Sequence, residues 1–235
     1  PVCWAQGSCL VPGGTGDEQW FDGLRWYLTD LRPQGFLGRA WGRNLAGQLN
    51  LTEDIRLWQE EDVLYALTVF NGEYTGGWLV GERNYQRWIT APRPAAIPLD
   101  QKLTRYEQLA HDALAGEIVG SSAGGEQPKF TCYVQTPSGN KHVLVKFTVP
   151  QQTAVSQRWG DLLIAESIAA QILCDGGIHA IESTVLVTSN RQVFLEAERF
   201  DCKGNDGRLP IVSLEAVESE FISSPGSWPE AMRRL

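Results

Sequence analysis

The sequence lacks the features that define several protein classes. No run of about 18 apolar residues occurs, so we expect no membrane-spanning helix. The five cysteines are odd in number and form no C-x-x-C pair, which disfavours both a disulfide framework and a zinc site. We therefore expect a reduced, cytoplasmic protein without a metal site of its own.

Positive charge is also scarce. The formal net charge is −8, and the 20 basic residues include only five lysines. Nucleic-acid binding through phosphate contacts needs clustered positive charge, so we expect no direct nucleic-acid binding by this chain. The 43% of hydrophobic residues and the nine Trp exclude a disordered chain and predict one large folded domain or two small ones.

A proline-rich stretch, residues 91–98 (APRPAAIP), is typical of a linker and divides the chain. We expect one unit over residues 1–100, rich in Trp and mainly helical, and a second unit over residues 101–235. In the first unit, hydrophobic periodicity predicts helices over residues 21–31, 36–49 and 60–70, and a short strand over 78–80.

The second unit alternates strand and helix patterns. We predict helices over residues 104–114, 158–174 and 211–221, and strands over 130–135, 142–148, 183–188 and 192–197. Short Gly-, Pro- and Asn-containing turns join the strands in pairs. The predicted class is therefore α+β, with an antiparallel sheet and one packed helix, preceded by the mainly helical region.

The segment GSSAGGEQPK, residues 120–129, connects the helix over 104–114 to the first of these strands. Glycine allows backbone N–H groups to approach an anion closely, and successive N–H groups can bind a phosphate. Neither the Walker A pattern nor the Rossmann pattern fits the segment. By itself it indicates either a phosphate-binding loop or an ordinary flexible connection.

Lys146 lies within the strand that follows the predicted hairpin turn, on the same face as Leu144. It is either a surface lysine or one directed into a polar cleft. A glycine loop, a strand lysine and a helix carboxylate that pairs with the lysine occur together in protein kinases. Glu166 could supply that carboxylate, although a glutamate at a helix edge is usually only solvated. The sequence ERFD, residues 198–201, follows the last strand. It could form a hinge such as the one between the two lobes of a kinase, or it could be only the charged end of a strand.

Together, SSAGGEQPKF (residues 121–130), LVKF (144–147) and ERFD (198–201) resemble the HipA family of bacterial Ser/Thr kinase toxins, and most closely its YjjJ-type branch. The resemblance implies a protein-kinase-like small lobe in residues 101–235 and an activity that transfers the γ-phosphoryl group of ATP to Ser or Thr. It implies that ATP is bound by Gly124, Gly125, Glu126, Gln127, Pro128, Lys129 and Lys146 at its phosphates, and by Glu198, Arg199 and Phe200 at its adenine.

The resemblance also implies a regulatory phosphorylation. Ser122 stands where the family phosphorylates its own loop, although the adjacent Ser121 is an alternative. A phosphoserine there would add about two negative charges beside the nucleotide phosphates, which would switch the kinase off by repulsion.

The family's catalytic Asp lies in a D-x-H-x-x-N segment, which this sequence does not contain. We therefore expect no catalytic residue in this chain, and interpret it as the N-terminal portion of a kinase whose C-terminal lobe supplies the Mg²⁺ ligands. The resemblance implies two partners, a helix-turn-helix antitoxin of a type II toxin–antitoxin system and a protein substrate, with an aminoacyl-tRNA synthetase as one candidate. The alternative is a non-catalytic binding or regulatory module, such as a pseudokinase fragment that engages an antitoxin or a kinase.

Overall fold

The computed structural model describes residues 3–5, 19–21, 24–70, 74–117 and 124–222, together with residues 227, 229, 230 and 233. Within these ranges the helices are α1 (Gly35–Leu49), α2 (Glu60–Val69), α3 (Glu82–Thr90), α4 (Lys102–Ala115), α5 (Ala154–Asp175) and α6 (Leu214–Phe221). The strands are β1 (Cys3–Ala5), β2 (Gln19–Phe21), β3 (Lys129–Thr136), β4 (Gly139–Phe147), β5 (Ser183–Val187), β6 (Val193–Glu198), β7 (Cys202–Lys203) and β8 (Gly207–Arg208). None of the described helices is long and apolar enough to cross a bilayer.

The first hundred residues build a core around aromatic side chains. Trp41 of α1 stacks on Phe70 with ring centroids 3.9 Å apart, and Trp58 and Leu67 are buried in the same cluster. Helices α1 and α2 confirm the two helices predicted over residues 36–49 and 60–70. The apolar faces of both helices pack together, which is how an amphipathic helix gains most of its stability.

Two predictions for this region were wrong. Residues 21–31 do not form one helix, because Phe21 ends β2 and, of the described residues in this range, only Trp26–Leu31 form a helix, of the 3-10 type. Residues 78–80 are extended but pair with no strand among the described residues. Helix α3, which begins after Gly81, was not predicted because its sequence, ERNYQRWIT, is mostly polar.

The second unit contains the predicted antiparallel sheet, in the order β3-β4-β6-β5. The prediction of one packed helix was wrong, since α4 and α5 cover opposite faces. Val145 and Phe147 of β4 pack with Tyr106 on the α4 side, whereas Leu195 of β6 packs with Leu163 on the α5 side. Alternation along each strand produces the two faces, and the class α+β is confirmed.

Helix α5 is less buried than its apolar sequence indicated. Its buried positions are Ser156, Gly160 and Leu163, which lie one turn apart on a single narrow stripe. The side chains of Leu162, Ile168 and Ile172 are exposed. The sheet contacts α5 along this stripe and through Glu166 and Ser167, and the exposed apolar side chains of α5 stay uncovered by the described residues.

The proline-rich stretch does not act as a free linker over its whole length. Near its end, Ile97 N–H donates to Tyr133 O and Ile97 O accepts from Gln135 N–H, both at 2.9 Å. The stretch therefore joins the edge strand β3 and attaches the first unit to the sheet.

Candidate functional site

The described part of the glycine loop folds back on the first residue of β3. The Lys129 ammonium donates to the carbonyl oxygens of both Gly124 and Gly125, the second at 2.9 Å. Gly125 has φ +93°, a conformation that favours glycine. A Cβ at this position would also lie 3.0 Å from the Lys129 Nζ. The loop conformation therefore depends on the glycine and on the lysine.

Lys129 and Lys146 are cross-strand partners in the β3–β4 ladder. Side chains at paired positions lie on the same face of an antiparallel sheet, so two ammonium groups share one end of the hairpin. Lys129 is only 3% exposed. Burial, followed by the positive charge of Lys146, lowers the pKa of Lys129 to about 8. The two ammonium groups are thus close enough for the charge of Lys146 to affect the pKa of Lys129.

Lys146 makes the ion pair that its position allowed. Its Nζ lies 2.6 Å from Oε1 of Glu166 on α5. The pair forms because alternation directs Val145 and Phe147 towards α4 and leaves Lys146 on the α5 side. The two side chains remain 27% and 46% exposed, so a ligand can reach them. The structure thus places the Lys146 ammonium in an ion pair with a helix carboxylate on the α5 side of the sheet.

The predicted hinge residues have three different environments. Glu198 pairs with Lys141, and Arg199 forms a buried bidentate pair with Asp201 at 2.7 and 3.0 Å. Phe200 is 67% exposed. Of these three side chains, only that of Phe200 therefore presents an exposed apolar surface. The Arg199 side chain is held in its buried pair, and its backbone N–H donates to His142 O at 2.9 Å.

Asp201 connects this hinge segment to the first unit. Its Oδ2 accepts a hydrogen bond of 3.0 Å from Gly76 N–H. Burial alone would raise the pKa of Asp201, but the hydrogen bonds and charge of Arg199 outweigh it and lower that pKa. The carboxylate is thus held ionised as a structural group.

The structure brings Lys129, Lys146 and the described part of the glycine loop together. Glu198 pairs in register with Val143 of the α4-side cluster, so its side chain lies on the other face of the sheet from Lys146. Lys146 pairs in register with Leu195, three residues before Glu198, so the hinge begins about 10 Å along β6 from the lysine. Glu126 points away to Arg39, with Oε2 2.5 Å from Nη1. Ser122 and Ser121 lie outside the described residues.

Sequence reasoning missed a buried polar cluster on the opposite face of the sheet. The Lys102 ammonium lies 3.1 and 2.9 Å from the two Glu196 carboxylate oxygens, and Tyr106 Oη donates to the same carboxylate at 2.5 Å. Burial is the largest of the causes that raise the pKa of Tyr106. A glutamate inside the apolar strand VFLEAE was the signal for this cluster. In the described ranges, no three metal-ligating side chains come together.

Comparison with known proteins gives two similarities. Residues 2–89 match the family model described as YjjJ-like toxin, middle domain. The chain is 92% identical over 234 residues to Toxin YjjJ of Escherichia coli (strain K12), in an alignment that covers 100% of this chain and 53% of that protein. The chain thus spans about half the length of the curated relative that it matches. Both similarities support the YjjJ-type toxin branch that the sequence indicated.

Proposed function

We propose that this chain supplies the ATP-binding small lobe of a HipA-like Ser/Thr protein kinase toxin. The observation that carries the proposal is the ion pair between Lys146 and Glu166, next to a glycine loop held by Lys129. In protein kinases a strand lysine pairs with a helix glutamate in this way and contacts the α- and β-phosphates. The order of the elements along the chain agrees with that arrangement.

The side chains and backbone groups around Lys146 are of kinds that could bind a nucleoside triphosphate. Gln127 has a buried Nε2 with no hydrogen-bond partner among the described residues, and phosphate oxygens are acceptors. Backbone N–H groups of residues 124–127 and 129 would hold the phosphates together with Lys146. The N–H groups of Glu198 and Arg199 already donate to Glu182 O and His142 O. The remaining backbone groups of residues 198–200 would hold the adenine, with Phe200 against the base. ATP would supply the γ-phosphoryl group, with Mg²⁺ bound by residues of the longer protein.

We extend this proposal to the activity, substrate and partners of the whole protein. The relative that the chain matches is described as a toxin, and we propose that its toxicity requires phosphorylation of a Ser or Thr in a target protein. An aminoacyl-tRNA synthetase is the candidate target, and a helix-turn-helix antitoxin the candidate inhibitor. Phosphorylation of Ser122 would place negative charge next to the phosphate site and oppose ATP binding.

The proposal is tested with the full-length protein incubated with ATP and Mg²⁺. We expect phosphate on Ser122 or Ser121, mapped by mass spectrometry, and none in the Lys146→Ala variant. Expression of the same variant should no longer arrest growth. Arg56→Ala is the control, because Arg56 lies on the surface of the first unit in a local pair with Asp54. Wild-type protein that binds no ATP and carries no phosphate would contradict the proposal.

A second prediction concerns proton uptake on ATP binding. At pH 8 about half of the Lys129 side chains are neutral, given the pKa of about 8. An adjacent phosphate favours the ammonium and raises this pKa, so binding takes up as much as about half a proton at pH 8 and little at pH 6. Titration calorimetry in two buffers of different ionisation enthalpy measures this uptake. It should vanish in Lys129→Met, and equal heats in both buffers for the wild type would contradict it.

The alternative function is a non-catalytic binding or regulatory module. The uncovered apolar side chains of α5, including Leu162, Ile168 and Ile172, favour it, because exposed apolar groups that share one element often mark a contact surface. Full-length protein that binds ATP but transfers no phosphate to itself or to a target would support the module. Phosphate transfer that depends on Lys146 would exclude it.

A further inference from the structure

The first turn of α1 contacts the glycine loop, although 87 residues separate the two segments where Arg39 meets Glu126. Phe36 N–H donates a hydrogen bond of 3.0 Å to Gly125 O, the same oxygen that accepts from Lys129. Gly125 O is therefore held from two directions, by the sheet and by the first unit.

Gly35 makes this approach possible. Its φ is +62°, and a Cβ added to it would lie 2.9 Å from Gly125 N and closer still to the carbonyl group. Any other residue would both strain the backbone and push the loop away. The Gln34 amide extends the contact, since a Cβ on Gly124 would lie 3.0 Å from Gln34 Nε2.

Arg39 completes the contact one turn further along α1. Its Nη1 lies 2.5 Å from Oε2 of Glu126, a side chain that is otherwise largely exposed. Residues 34–39, here called the loop-contact segment, thus touch three consecutive loop residues, Gly124, Gly125 and Glu126. They act through a backbone hydrogen bond, close steric contact and an ion pair.

We propose that the loop-contact segment positions the glycine loop for phosphate binding, and that this is a role of the first unit in the kinase. The inference rests on the proposed function. A loop with adjacent glycines has many accessible conformations, and each residue that must be ordered on binding weakens affinity. Contacts that order Gly124–Glu126 beforehand remove part of that cost. Gly35 and Arg39 are therefore positioning residues that need not touch the nucleotide.

The test uses the full-length protein and two readouts, the ATP dissociation constant and hydrogen exchange of residues 124–130 without ATP. Gly35→Val should raise the dissociation constant roughly five- to thirty-fold, as expected when one more loop residue must be ordered on binding. Arg39→Gln should act in the same direction and less. Both variants should speed exchange in the loop. Arg43→Gln is the control, because Arg43 lies one turn further along α1, at Gly116.

Two further variants, one of the ion pair and one of the strand lysine, complete the test. The double variant Arg39→Glu/Glu126→Arg should restore the loop protection that Arg39→Glu alone removes, measured by hydrogen exchange without ATP, and failure to restore it would overturn the positioning role of the ion pair. Unchanged exchange and unchanged affinity in Gly35→Val, with Lys146→Ala impaired, would overturn the inference and leave the proposed function intact. Unchanged ATP binding in Lys146→Ala would instead contradict the proposed function. Hydrogen exchange measured without ATP would in that case still decide whether the loop-contact segment orders the glycine loop.

Discussion

Replacing Glu196 with alanine should destabilise the protein by about 3–5 kcal/mol, the usual cost of leaving a buried charge unpaired. The Lys102 ammonium has its two hydrogen bonds of 2.9 and 3.1 Å with this carboxylate, and the two side chains are only 11% and 10% exposed. Without Glu196 the ammonium keeps its desolvation cost and loses its counter-charge. Tyr106 Oη loses its acceptor as well. Urea denaturation measures the loss.

The double variant Lys102→Met/Glu196→Leu should recover most of that stability, because replacing both charges removes the desolvation cost together with the attraction. Glu107→Ala provides a control on the same helix α4, where the side chain is exposed and the change should stay within about 0.5 kcal/mol. A loss in Glu196→Ala no larger than that of the control would mean that Lys102 reaches water once its partner is removed.

The elements of the sheet could be predicted because their patterns are local. The alternation in KFTCYVQT and GNKHVLVKF, with a short turn between them, determines a hairpin with one face towards α4. Helix α5 was predicted from its apolar content, but its orientation was not. Periodicity shows that a stripe is apolar, and only the neighbouring elements determine whether something covers it.

The same difference between local and long-range contacts applies to the candidate site. The pair between Lys146 and Glu166 could be predicted, since 20 residues and one strand–helix connection separate its members. The contacts of Gly35 and Arg39 with the glycine loop could not. They join two units that no local pattern relates, and a glycine ahead of a helix is also consistent with an ordinary turn. Local chemistry was therefore predictable and the long-range positioning of the loop was not.

Replacing Glu166 with glutamine should separate stability from activity at the site. The pair with Lys146 is half-exposed, so its loss should change the free energy of unfolding by at most about 1 kcal/mol. Under the proposed function, however, the lysine loses the carboxylate that would position it towards the ATP phosphates. A misplacement of about 1 Å is enough to lower activity about 100-fold. We therefore expect a loss of this order in the rate of autophosphorylation, which should persist at saturating ATP.

Asp161→Asn is the matched control for this last variant, because Asp161 lies on the same helix and is exposed. It removes the same charge from α5 and should leave phosphorylation unchanged. Glu166→Asp should retain part of the activity, since the aspartate side chain is shorter but its carboxylate still attracts Lys146. If Glu166→Gln instead unfolded the protein and kept its activity per folded molecule, the pair would be structural. Equal losses in Glu166→Gln and Asp161→Asn would mean that the charge of the helix, and not the pair, matters.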